Sequence, residues 1–225
     1  MKPFQAVLFD FDGVIAHTQP IMQQALWKFF WERKMQVAEE EFEQDGWASK
    51  SLAQVCDILR EKHAIHLEVN ELRANIWESQ KSLFQIGLES DPSLIPFLEY
   101  CQQREIKLAI GSNSIRDRIE WVIKLMKIDS YFLYDKSNPA KWYAIIGAND
   151  ITHHKPDPEV WIRCAELLET PLEQCIAIDD HLPGLTGAKK AGTQTIYYHR
   201  FDRPDKACSD IAEKSVESFG ELITV

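Results

Sequence analysis

Three things are scarce in this 225-residue chain. Cysteine is the first: Cys56, Cys101, Cys164, Cys175 and Cys208 are odd in number, scattered, and never spaced Cys-x-x-Cys. That argues against a disulfide framework or a zinc site and for buried, reduced thiols in a reducing compartment. Positive charge is the second. Lys and Arg total 25 against 35 Asp and Glu, a net charge of -10, which disfavours nonspecific nucleic-acid binding. Long apolar runs are the third: none is of membrane-spanning length. Met1-Lys2-Pro3-Phe4 also leads straight into the first apolar stretch, with no room for a signal peptide. Internal repeats and low-complexity segments are absent as well. The expectation is a soluble, cytoplasmic, enzyme-sized protein, a monomer or weak dimer, without nucleic-acid or membrane partners. At 225 residues and 45% hydrophobic content it holds one large domain, or a domain with an insertion.

What is present centres on Ala6-Val7-Leu8-Phe9-Asp10-Phe11-Asp12-Gly13-Val14-Ile15. An apolar run ends at two aspartates one residue apart. Successive strand side chains point to opposite faces, so Asp10 and Asp12 converge only if the strand stops at Asp10. Gly13 permits that bend. Two carboxylates would then stand at the carboxyl end of a buried strand, where open α/β sheets bind ligands. One suits a nucleophile or metal ligand, the other an acid/base. Asp-Gly is also a common turn dipeptide, so the stretch alone decides nothing.

Beyond Ile15 the apolar period becomes helical, over 19–36 (Ile21, Ala25, Phe29, Phe30), 51–62 and 68–84, with no strand before Ile106. Two to three antiparallel helices are expected there. After a turn near Asp91-Pro92 and a helix over 93–104, strands and helices alternate. Strands are expected at 106–110, 142–148, 174–178 and 194–199, and helices after Ser112, over 157–169, and before Gly192. The tail from Asp202 is weakly patterned. Such alternation predicts right-handed crossovers and a mostly parallel sheet with helices on both faces.

Three further signals fall where strands meet loops. Ser112 and Asn113 stand where a helix is expected to begin, either as an anion site or as an ordinary cap. Lys155, in His153-His154-Lys155-Pro156-Asp157-Pro158, is held by two prolines at a helix start, a poor place for a cation unless an anion lies nearby. The two histidines read as loop residues. Asp179-Asp180 ends an apolar strand, where adjacent carboxylates are costly without a cation. Oxygen-only ligands open to water suit Mg2+. Gly184-x-x-Gly187 follows an acidic pair rather than a strand and is not read as a dinucleotide fingerprint.

The order Asp-x-Asp-Gly, Ser, Lys, Asp-Asp resembles the haloacid dehalogenase-like hydrolase superfamily. It resembles in particular the branch with a helical cap inserted after the first strand, which includes small-molecule phosphatases and β-phosphoglucomutase. The resemblance implies a Rossmann-like, doubly wound α/β core over residues 1–17 and 88–225 and a cap over 18–87 that selects the substrate. It implies Asp10 as nucleophile and metal ligand, and Asp12 as acid/base with its backbone carbonyl on the Mg2+. Ser112 would contact the transferring phosphoryl, Lys155 would neutralise it, and Asp180 and Asp179 would hold the metal. Asn113 joins the phosphoryl-binding loop. In the loop Asp45-Gly46-Trp47-Ala48-Ser49-Lys50, Trp47 and Lys50 are the expected substrate contacts. The implied activity is Mg2+-dependent hydrolysis of a small phosphorylated metabolite through an aspartyl-phosphate. A phosphoglucomutase-like transferase is the alternative, and a partner-binding protein without catalysis a further one. A halide leaving group needs no proton, so Asp12 argues against dehalogenation. Two departures stand out: His17-Thr18 where many relatives carry Asp followed by Thr or Ser, and extra length over 133–144.

Overall fold

The computed structural model describes residues 3–44, 47, 52–134 and 143–223. The chain divides into two compact units, Thr18–Glu89 and the combination of Met1–His17 with Ser90–Val225.

Thr18–Glu89 holds helices α1 (Gln19–Glu32), α2 (Glu39–Gln44), α3 (Leu52–His63) and α4 (Val69–Ile86). Among the described residues, four α-helices stand where the periodicity predicts two or three, because α2 is too short to display a period. Ala25, Leu26, Phe29 and Phe30 of α1 share a core with Val55 and Leu59 of α3 and Leu72 and Ile76 of α4. This is the i, i+3, i+4 stripe that the sequence displays. Each of the Val, Leu, Ile and Phe side chains among them, fully buried, contributes about 1.5–3 kcal/mol.

The second unit is built on a six-stranded sheet. β1 (Ala6–Phe9) is buried on both faces, as an unbroken apolar run inside a parallel sheet should be. It pairs with β2 (Lys107–Gly111) on one side. Beyond β2 lies β3 (Ile145–Ile146). On its other side β1 pairs with β4 (Cys175–Asp179), followed by β5 (Gln194–Tyr198) and β6 (Lys214–Val216). The order is β3-β2-β1-β4-β5-β6 and every pairing is parallel. This is the doubly wound arrangement expected from the sequence. The chain builds outward from β1 in one direction, then crosses to β4 and builds in the other, so a crevice opens beyond the carboxyl ends of β1 and β4. Phe9 lies level with both Ile110 and Ile178, so β1 ends one residue before β2 and β4.

The helices of this unit are α5 (Leu94–Gln103), α6 (Arg116–Leu125), α7 (Glu159–Leu167), α8 (Leu182–Ala191) and α9 (Lys206–Ile211). On one face of the sheet, Ala6, Leu8, Ala109 and Ala177 pack against Val160, Trp161 and Cys164 of α7 and Ala188 of α8. On the other, Phe9 meets Phe97 of α5, Phe132 and Phe219 edge-on at 5.9–6.1 Å.

Three expectations need correction. The strand expected over 142–148 shrinks to Ile145–Ile146, since Tyr143 bridges antiparallel to Leu133 and Ala148–Asp150 turns into a 3-10 helix. The helix after Ser112 begins only at Arg116, with Ile115 in the capping position. The weakly patterned tail forms α9 and β6. Lys214-Ser215-Val216 joins the sheet edge through backbone pairing with β5 and carries little apolar signal. Phe219 is tied back to Asp91, whose buried carboxylate accepts from the Phe219 amide (2.9 Å), the Ser93 amide (2.8 Å) and the Tyr198 hydroxyl (3.1 Å). Most of the 133–144 segment lies outside the described residues. Among the described residues no helix is long and apolar enough to cross a membrane.

Candidate active site

Asp10 continues β1 by one bond, its amide donating to the Ile178 carbonyl at 2.8 Å. The strand then breaks. Gly13 adopts φ +84, a left-handed conformation that L side chains resist, and donates to the Ala16 carbonyl at 2.8 Å. The Ile15 and Ala16 amides both donate to Phe11. This tight loop frees Asp10 to face the crevice. Gly13 also gives clearance: a Cβ there would lie 2.0 Å from Asp180 Oδ2. Gly184, in the first turn of α8, does the same on the other side, where a Cβ would lie 1.8 Å from Asp179 Oδ2. The glycine pair discounted as a nucleotide motif thus includes a steric one.

Between these loops, carboxylate oxygens of Asp10, Asp179 and Asp180 lie within 4.8 Å of one another. Lys155 enters from the loop after β3. Its Nζ donates to Asp10 Oδ1 at 2.5 Å and to Asp179 Oδ2 at 2.8 Å, and sits 4.3 Å from the centroid of the Trp161 ring. Trp161 Nε1 in turn donates to the Gly184 carbonyl at 3.0 Å, so one indole lies beside the ammonium and braces the loop beside Asp179. Asp179 Oδ1 accepts the His181 amide at 2.9 Å, and Asp180 Oδ2 pairs with His181 Nδ1 at 2.7 Å.

The electrostatics of the trio are those of a site short of positive charge. Burial pushes the Asp10 carboxyl well above its ordinary range. The Lys155 ammonium pulls it back, while Asp179, Asp180 and Asp12 push it up again. Lys155 is pushed down by burial, yet ends above the ordinary lysine range because Asp10 and Asp179 both hold its proton. The two shifts agree: one ammonium is claimed by several carboxylates and cannot satisfy them all. Asp180 is pushed up to about 6, chiefly by burial, with His181 opposing. His181 rises to about 9 through its bond to Asp180. Lys155 serves Asp10 and Asp179 while His181 serves Asp180, so three buried carboxylates face two positive groups, and the excess of oxygen ligands fits a hard divalent cation.

The family model for haloacid dehalogenase-like hydrolases matches residues 7–198, which run from the second residue of β1 to the end of β5 and include every residue of this cluster. The chain belongs to the haloacid dehalogenase-like hydrolases. Among curated relatives, it is 24% identical over 201 residues to the phosphorylated carbohydrates phosphatase of Thermotoga maritima (86% of this chain, 84% of that one). It is 23% identical over 198 residues to the 6-phosphogluconate phosphatase of Escherichia coli (88% of this chain, 84% of that one). Among solved structures, a putative β-phosphoglucomutase from Thermotoga maritima shares the fold, with a TM-score of 0.77 at 21% identity, covering 98% of this chain and 97% of that one.

In this hydrolase the structure sorts the residues singled out from sequence. Asp10, Lys155, Asp179 and Asp180 stand together. Ser112 is buried at the end of β2, its amide donating to Ile146 and its Oγ accepting from the Ser114 amide at 3.1 Å. It precedes its helix by several residues and is not a helix cap. Asn113 Oδ1 accepts the Lys155 amide at 3.2 Å, so it ties the lysine loop to the β2 loop. Trp47 corrects an expectation. It is wholly buried in the helical unit, edge-to-face with Phe30 at 5.6 Å and tilted on Phe42 at 5.8 Å, so it packs rather than lining a pocket. A large ring among rings gains more from burial than from an open groove. Lys50 lies outside the described residues.

Asp12 is held apart from the trio. Ser114 Oγ donates to its Oδ2 at 2.5 Å, and Arg118 Nη1 donates to Oδ1 and Oδ2 at 2.8 and 3.2 Å. Ser114, Arg118 and His181 escape a reading of the sequence. An arginine in an amphipathic helix reads as a solvated face, and only the tertiary fold carries it to Asp12.

Proposed function

We propose that this hydrolase is a Mg2+-dependent phosphatase that cleaves a small phosphorylated metabolite, such as a sugar phosphate, through an aspartyl-phosphate on Asp10. The observation that carries the reading is the sharing of the buried Lys155 ammonium between Asp10 and Asp179, beside Asp180, at the switch point of the sheet. A purely structural ion-pair cluster would match charge for charge; here three buried carboxylates exceed the counter-charge of Lys155 and His181, as a centre built for both a cation and an anionic ester should.

An oxygen of Asp10 bonds to phosphorus while the bond from phosphorus to the leaving oxygen breaks, and the carboxyl of Asp12 gives its proton to that oxygen. Asp12 then takes a proton from water as the water oxygen attacks the phosphoryl, and the bond from Asp10 to phosphorus breaks to release phosphate. Ser112 donates a hydrogen bond to the phosphoryl oxygens, and Lys155 offsets their charge. Asp10, Asp180 and Asp179, with the backbone carbonyl of Asp12, would hold Mg2+, which supplies charge neutralisation for an anionic nucleophile approaching an anionic ester. Two relatives, phosphatases of phosphorylated carbohydrates and of 6-phosphogluconate, support the substrate class. The unit Thr18–Glu89 is the part left free to discriminate among esters, because the sheet residues address phosphate alone.

The test is phosphorus NMR of the purified protein with Mg2+ and a panel of sugar and other metabolite phosphates. Free phosphate should grow with the native protein and not with Asp10→Asn. Phosphate that moves between positions only with a bisphosphate primer would replace hydrolysis by mutase chemistry. Unchanged spectra with every ester would overturn the catalytic reading.

A further inference from the structure

Arg118 places a guanidinium inside the protein, its side chain 8% exposed, against an Asp12 side chain that is 32% exposed. Burying a cation beside a half-open carboxylate gains little stability, because desolvation offsets much of the attraction. What the arrangement does achieve is direction. Asp12 lies on the loop after β1, past the end of the regular ladder, where a short side chain would otherwise sample several rotamers. Arg118 Nη1 reaches both of its oxygens and also donates to Ser114 Oγ at 2.8 Å, while Ser114 Oγ donates to Oδ2. The three groups close a ring that fixes the carboxyl plane.

The ring rests on rigid ground. The Ser114 carbonyl accepts the Ala148 amide at 2.8 Å, and Gly147 lets the backbones meet, since a Cβ there would lie 2.9 Å from that carbonyl. The guanidinium carbon of Arg118 lies 5.5 Å from the centroid of the fully buried Phe11 ring. Supports of this kind are what hold a reacting group within a fraction of an ångström of its working position.

The geometry points to Ser114 and Arg118 as positioning residues that aim the Asp12 carboxyl at the leaving-group oxygen of the ester. The inference rests on the phosphatase reading and concerns one step of it: Asp12, an ion-paired carboxylate in this structure, takes up a proton from solvent as the anionic ester binds, and that proton passes to the bridging oxygen as its bond to phosphorus breaks and the bond from Asp10 forms. Neither Ser114 nor Arg118 gives or takes that proton. Their contribution is therefore large where the departing oxygen needs a proton and small where it does not.

The experiment compares kcat/KM, which reports formation of the aspartyl-phosphate, for an alkyl phosphate such as a sugar phosphate and for 4-nitrophenyl phosphate. An alkoxide leaves poorly without a proton; a nitrophenolate leaves well. Arg118→Met should lower kcat/KM for the alkyl ester about 100-fold, the scale of a lost general acid, and leave the nitrophenyl ester little changed. Ser114→Ala should give a smaller loss with the same selectivity, and Arg118→Lys should recover part of the activity. Equal losses with both esters would make the ring a structural brace and overturn the inference. If Arg118→Met loses its cooperative melting, Ser114→Ala, which keeps the ion pair, decides by the same comparison. Asp10→Asn separates the two claims. Native turnover that vanishes in Asp10→Asn upholds the phosphatase reading whatever Arg118 does, and no Asp10-dependent turnover of either ester overturns both.

Discussion

Consider Lys155→Met, which keeps an unbranched apolar stem of nearly the same length while removing the ammonium and with it the contact on the Trp161 ring. The side chain is 6% exposed and spans contacts of 2.5 and 2.8 Å to Asp10 and Asp179. Removing one partner of a buried ion pair costs about 3–5 kcal/mol, because the remaining charge is left uncompensated. For a chain of this size each kcal/mol moves the melting midpoint by about 2–4 °C, so the variant in chelator near neutral pH should melt about 6–20 °C lower. The sign of the pH response follows from Asp10, whose folded pKa is already raised by burial. A folded state that binds a proton the unfolded state lacks gains stability as pH falls, so the deficit should shrink on acidification through that raised value. Mg2+ should shrink it too. A cation at about 100 times its dissociation constant stabilises by about 2.7 kcal/mol, and the variant, with one positive charge fewer beside the carboxylates, should bind it more tightly than the native protein and so gain more. The assay is thermal unfolding by circular dichroism, with chelator and with Mg2+, at neutral and acidic pH. A variant that melts with the native protein in chelator at neutral pH would refute the view of Lys155 as counterion to a charge-starved site.

Other perturbations test the surrounding geometry. Gly184→Ala should be favoured by about 0.5–1 kcal/mol on helix propensity alone. Its Cβ, however, would lie 1.8 Å from Asp179 Oδ2 and 2.1 Å from Cγ, so a net loss of about 1–3 kcal/mol and weaker Mg2+ binding by calorimetry are expected. A more stable variant with native affinity would contradict this. Asp91→Ala strands buried donors from Ser93, Tyr198 and Phe219 and should cost about 3–5 kcal/mol in urea unfolding. Burial pushes the Asp91 carboxyl up, but bonds from Ser93, Phe219 and Tyr198 together hold it below its ordinary 3.8. Its stabilisation is thus present above that value and lost as pH falls below it, and the variant should show a flatter acid limb. His181 has the opposite sign. Its pKa rises from 6.5 to about 9 through Asp180, so its contribution is full below 6.5 and lost as pH climbs through 9. His181→Asn should flatten the alkaline limb of the urea midpoint measured in chelator.

Much of this protein was determined locally. The run Ala6–Phe9 is apolar on both faces and so must be an interior strand, and Gly13 after Asp10-Phe11-Asp12 permits the break that frees Asp10. The recurrence of chemistry-bearing residues after successive strands marks one edge of a parallel sheet, since every parallel strand ends on the same side. Those inferences need only side-chain period and backbone sterics within a short window. Elsewhere only the tertiary structure decided. Lys214–Val216 becomes a strand because β5 offers it an edge. Trp47 becomes core because the rings of Phe30 and Phe42 surround it. Arg118 meets Asp12 across 106 positions, and no window along the chain contains both. Burial and pairing at that distance depend on the register and packing of whole elements, and so does the charge balance around Asp10.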